Sequence, residues 1–110
     1  MDFQYKIIIS SDFSKTPTAR YRSDGKYSGE EFREDVLEKK YLEAVKSEQK
    51  LFIDLDGGYG YATSFLEEAF GGLARKYGAA VVRNVLEFKS DDEPELIPDI
   101  LEYIDDASES

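Results

Sequence analysis

The chain contains no cysteine and no histidine. Without cysteine there is no disulfide, no thiolate nucleophile and no cysteine-held zinc or iron–sulfur site. Without histidine the commonest general base is missing, and with it the Ser-His-Asp triad and any histidine-based zinc or haem site. Tryptophan is absent too, and proline occurs only three times. No apolar run approaches the roughly 18 residues of a membrane-spanning helix. The start, Met1-Asp2-Phe3-Gln4-Tyr5, has no basic stretch leading into a long apolar segment, so it does not read as a signal peptide. These absences lead to the expectation of a cytoplasmic protein with no membrane contact, no cofactor and little means of catalysis on its own.

What is present suffices for one folded domain. The chain has 110 residues, 41% of them apolar, with eight Tyr and seven Phe. That supplies a single modest core. The expected domain is the whole of 1–110, with a core over about 3–105 and a frayed acidic end at 106–110. The net charge is −10, unevenly spread: nine acidic and no basic residues follow Lys89, whereas residues 1–89 carry 15 acidic and 14 basic side chains. Nucleic acid is a poor partner for such a chain, because phosphate binding needs clustered cations. The acidic end reads as a solvated helix face or as a docking surface for a basic partner.

Strands and helices alternate. Ile7-Ile8-Ile9 marks a strand over 5–10, followed over 11–27 by a polar segment that reads as a long loop or a weak hairpin and holds Lys15, Arg20, Arg22 and Lys26. Ser28-Gly29-Glu30-Glu31 has capping-box spacing and opens a helix to about Ser47. Residues 50–56 form a nearly continuous apolar strand, as in the middle of a parallel sheet. Gly57 to Tyr61 is a flexible turn, and Ser64-Phe65-Leu66-Glu67 repeats the capping-box spacing at a helix to about Tyr77, with Phe65, Leu66, Ala69, Phe70 and Leu73 facing inward and Gly78 as its stop. Gly71-Gly72 inside that helix implies close packing or an early end. Residues 79–88 read as a further strand, and Pro94 or Glu95 leads a last helix with Ile97, Ile100, Leu101 and Ile104 on one stripe. The pattern is α/β, with a mostly parallel sheet, right-handed crossovers and about three helices.

The centre of the chain supports competing functions. An apolar strand ending in Asp54-Leu55-Asp56-Gly57 resembles the first motif of haloacid-dehalogenase-type phosphatases. That resemblance implies Asp54 as nucleophile, Asp56 as acid/base and magnesium between carboxylates. The sequence departs from it: Gly58 stands where Thr or Val is expected, a strand and a helix precede the motif, and few residues follow. The alternative is that both aspartates bond turn amides at a strand end.

The second reading starts at Gly60-Tyr61-Ala62-Thr63-Ser64-Phe65-Leu66, which resembles the phosphorylation motif of STAS domains, the fold of anti-sigma factor antagonists. Aligning Leu66 on the motif's final Leu places the phosphorylated Ser on Ser64 and the preceding hydroxyl on Thr63. Ala62 stands in place of the motif's Asp and Phe65 in place of its Gly. Four blocks are similar to a STAS-like family of unknown function: Asp12-Phe13-Ser14-Lys15-Thr16-Pro17, Arg20-Tyr21-Arg22-Ser23-Asp24-Gly25, Ser28-Gly29-Glu30-Glu31-Phe32-Arg33, and Ser64-Phe65-Leu66-Glu67-Glu68-Ala69-Phe70-Gly71-Gly72-Leu73. The resemblance implies a single STAS-like domain that is not an enzyme. It implies a regulatory module that binds another protein, a histidine-kinase-like ATPase or an anti-sigma factor, and that is switched by phosphorylation. The expected phospho-acceptors are Ser64 and Thr63, and the expected partner contacts are Tyr59, Tyr61, Phe65, Glu67 and Glu68, with Tyr59 and Tyr61 reading equally as lids packed on the sheet. The simpler reading is that Ser64 is a plain helix cap paired with Glu67, and Ser28 has the same capping spacing. In a third reading, Arg20 and Arg22 hold a small anion or nucleotide, or else pair with Asp12, Asp24 or the acidic end.

Overall fold

A computed structural model describes residues 4–109. Three strands, β1 (Tyr5–Ile8), β2 (Leu51–Asp54) and β3 (Leu86–Lys89), form one parallel sheet in the order β1-β2-β3. The register aligns Ile7 with Ile53 and Phe88, and Ile8 with Asp54 and Lys89. Ile7, Leu51, Ile53 and Leu86 point into the core. β2 is central, as its apolar run implies, but its burial alternates and Phe52 is only half-buried.

Five helices accompany the sheet among the described residues: α1 (Ile9–Asp12), α2 (29–46), α3 (63–77), α4 (Ala79–Val85) and α5 (Leu96–Asp106). About three were expected. α1 is a single turn at the end of β1. α4 occupies most of the segment read as strand. Its β-branched residues favour a strand only weakly, and the fold instead seats Val82 in the core from a helix that follows the Gly78 stop. The strand proper is confined to Leu86–Lys89.

α2 begins where the sequence places it. The Ser28 side chain accepts a hydrogen bond from the Glu31 amide at 3.0 Å. Phe32, Leu37, Tyr41 and Ala44 form its buried stripe, whereas Leu42 and Val45 from the same expected stripe are exposed. α5 buries Leu96, Ile100 and Ile104. A short 3-10 turn, Ala107–Glu109, follows it.

The two long helices α2 and α3 each contain a π-helical turn, Arg33–Leu37 and Glu67–Gly71. They cross closely. A Cβ on Gly29 would stand 2.6 Å from the Phe65 carbonyl oxygen, so only glycine fits there. A Cβ on Gly72 would stand 2.8 Å from Arg33 Nε. The glycine pair is thus explained by close packing, and the helix runs on to Tyr77.

What Gly71-Gly72 makes room for is a network of ion pairs. Arg33 bonds Glu38 at 2.6 Å and Glu68 at 2.9 Å. Glu38 also takes the Lys76 ammonium at 2.7 Å and the Tyr77 hydroxyl at 3.1 Å. Glu67 takes Arg20 at 2.5 Å and Arg75 at 2.6 Å. Burial raises the Glu38 pKa, but Lys76, Arg33 and Tyr77 outweigh it and hold the carboxyl below its usual range. Glu67 follows the same logic, with Arg75 and Arg20 outweighing burial. Arg33 Nε is buried without a hydrogen-bond partner.

Candidate functional site

In open parallel α/β sheets, sites lie beyond the carboxyl ends of the strands. Here that edge is built by α1 and the loop after it, by residues 55–62 leading into α3, and by residues 90–95 leading into α5. The three segments are tied together. The Asp56 carboxylate accepts the Asp91 and Asp92 amides, each at 2.9 Å, and pairs with the Lys89 ammonium at 2.6 Å. Ser10 Oγ donates to the Asp56 carbonyl at 3.1 Å, and the Gly57 amide donates to Asp92 Oδ2 at 3.2 Å. The Tyr59 amide donates to the Lys15 carbonyl at 2.9 Å, and the Ala62 amide to the Pro17 carbonyl at 3.3 Å.

These bonds define what the aspartates do. The amides of Asp92 and Asp91 and the Lys89 ammonium all stabilise the charged form of Asp56, which lowers its pKa to about 2. Near neutral pH it carries no proton to donate. The bond to Asp56 also holds Lys89 charged well above its ordinary range. Asp54 Oδ1 accepts the Asp56 amide at 2.9 Å. Both aspartates therefore serve as strand-end acceptors for turn amides. Asp91 and Asp92 are exposed, and no group of three or more acidic residues that could hold a metal occurs among the described residues.

The residues expected at a partner surface separate. Tyr59 is 82% exposed, at the tip of the glycine-rich loop. Tyr61 is half-buried. Its ring lies 6.1 Å from that of Phe65 and its hydroxyl donates to the Leu55 carbonyl at 2.9 Å. Burial pushes the Tyr61 hydroxyl pKa up. Phe65 is fully buried, with Phe13 and Phe32 packed around it, so it is a core residue and not a surface contact. Glu67 and Glu68 belong to the ion-pair network, and Glu68 is buried.

The two hydroxyls also differ from expectation. The N-cap of α3 is Ala62, not Ser64, and it makes no side-chain cap. Ser64 lies inside the first turn, and Glu67, its expected capping-box partner, faces Arg20 and Arg75 instead. Thr63 is exposed and Ser64 half-buried. Neither hydroxyl has a hydrogen-bond partner among the described residues.

The arginines are not brought together on an anion. Arg20 is held by Glu67, while Arg22 reaches Glu34 at 3.2 Å and Asp35 at 2.9 Å. Their partners are α2 and α3, not Asp12, Asp24 or the acidic end. No sequence signal announced Glu38 or Glu68 as buried acids, because helical spacing marks only apolar stripes.

Among the described residues no helix is long and apolar enough to cross a membrane. Comparison with curated proteins and with solved structures found no match. The family model of the STAS-like domain of unknown function (DUF4325) matches residues 28–96, which run from the cap of α2 to the start of α5. The chain therefore belongs to that STAS-like family.

Proposed function

We propose that this domain is a non-catalytic regulatory module that binds another protein through the carboxyl edge of its sheet. In this reading the hydroxyl pair Thr63–Ser64 is the switch and Tyr59 the anchor. One observation carries it. At the start of α3 stand two hydroxyls, exposed at Thr63 and half-buried at Ser64, without hydrogen-bond partners among the described residues, and the loop that leads into them carries Tyr59, which is 82% exposed. Exposed aromatics in loops make strong contacts once covered. A phosphate at the first turn of a helix meets free backbone amides and the positive end of the dipole, so the fold tolerates it. It would add about −1.5 to −2 charges at the rim of the docking surface. The STAS-like fold supports a partner of the histidine-kinase-like ATPase class, which would also supply the phosphate.

Of the two hydroxyls, exposure favours Thr63 and the motif alignment favours Ser64. The test is the intact mass of the protein after incubation with native-host lysate and ATP, beside Thr63→Ala and Ser64→Ala. The expected result is a gain of one phosphate, about 80 Da, abolished by one of the two substitutions. A gain that survives both substitutions places the modification elsewhere. No gain, with a control substrate phosphorylated in the same lysate, removes the switch.

A further inference from the structure

Three exposed apolar side chains lie at the opposite edge of the molecule: Leu42 and Val45 on α2, and Val81 on α4. Val45 and Val85 line a surface hollow of about 270 Å³ beside the amino ends of β2 and β3, together with Glu48, Gln49, Lys50 and Asn84. Two opposite charges flank the Leu42–Val45 pair at equal spacing, Lys39 on α2 and Glu48 in the turn that follows it. Lys39 stands three residues before Leu42, and Glu48 three residues after Val45. Both are exposed, and neither side chain has a partner among the described residues.

Glu48 is out of place within a single copy. Its φ is +56°, in the left-handed region that glycine or asparagine occupies at lower cost. Its carboxylate also follows the carboxyl end of α2, where the helix dipole disfavours an anion. A strained backbone position that carries the electrostatically wrong side chain points to a role outside the monomer.

We infer that this face docks a second copy of the chain. A two-fold axis through the midpoint between Leu42 and Val45 sets the two α2 helices antiparallel. Leu42 of each copy then meets Val45 of the other, and Lys39 of each meets Glu48 of the other. One surface patch supplies both halves, as a two-fold dimer requires. Val81 and the hollow flank the same seam and add apolar surface. Residues 39–50 carry four lysines and two glutamates in a chain of net charge −10.

The test is sedimentation velocity across a concentration series at low salt, with circular dichroism to confirm that each variant is folded. Wild type is expected to shift from monomer to dimer as concentration rises. Lys39→Glu and Glu48→Lys should each raise the dimer dissociation constant about tenfold or more, because each places like charges together twice. An equimolar mixture of the two single variants restores opposite charges at both contacts and should regain dimer, as should the double charge swap. A wild type that stays monomeric throughout overturns the inference. So do single swaps without effect, or a mixture that fails to recover dimer.

Discussion

Thr63–Ser64 and Glu67–Glu68 stand one helical turn apart on α3, and the two pairs have opposite surroundings. Thr63 is exposed and Ser64 half-buried, and neither hydroxyl has a partner among the described residues, while the glutamates are gripped by Arg20, Arg33 and Arg75. At the amino end of the helix the neighbouring loops pack Tyr61 and Phe13 on Phe65 and make backbone bonds, but offer the two hydroxyls no partner among the described residues. One turn further on, the crossing with α2 and the Gly71-Gly72 gap admit long charged side chains. Charge in a sequence is thus no guide to exposure: here the acidic pair is structural and the neutral pair is available.

Substitutions on the two sides should therefore separate stability from function. The largest expected effect is at Phe65. Phe65→Ala empties a fully buried aromatic site and should cost about 3–5 kcal/mol in chemical denaturation. Glu68→Ala leaves the Arg33 guanidinium without one of its two carboxylates, at a cost of about 3 kcal/mol. Gly72→Ala forces the new methyl group against Arg33 Nε and should cost about 1–3 kcal/mol.

At the open side the effects are smaller and different in kind. Asp56 has a pKa of about 2 in the folded protein against an ordinary 3.8. A lowered folded value stabilises the protein above the ordinary value, and that stability is lost as pH falls through the folded one. Wild type should therefore lose stability between about pH 4 and pH 2 in urea titrations. Asp56→Asn should be less stable near neutral pH and should show a shallower loss across that window. Thr63→Ala and Tyr59→Ala should change stability by no more than about 0.5 kcal/mol, and Tyr59→Ala should nonetheless weaken partner capture. A Tyr59→Ala variant that unfolds would erase the contrast between the two ends of α3.

The architecture was readable where local signals and burial agree. The apolar run at residues 51–55 and the Ser28 cap lie where expected because each is decided by near neighbours. Ala79–Val85 was not readable as helix, because its β-branched residues are set by packing of Val82 rather than by propensity. The Ser64 capping box failed for a related reason: Glu67 has two arginines to bind, and their placement depends on the crossing of α2 and α3. The position of the hydroxyl pair at a helix start was legible. The burial of Phe65 beside it was legible too, as an inward position of the helical stripe, whereas the exposure of Thr63 depends on loops distant in sequence.

The most direct measurement is quantitative capture of partners from native-host lysate by wild type, Tyr59→Ala, Thr63→Glu and Glu68→Gln, each shown to be folded. The expected result is a protein held by wild type and by Glu68→Gln, and lost or strongly reduced with Tyr59→Ala and Thr63→Glu. Equal retention by all four would contradict a docking surface at the carboxyl edge.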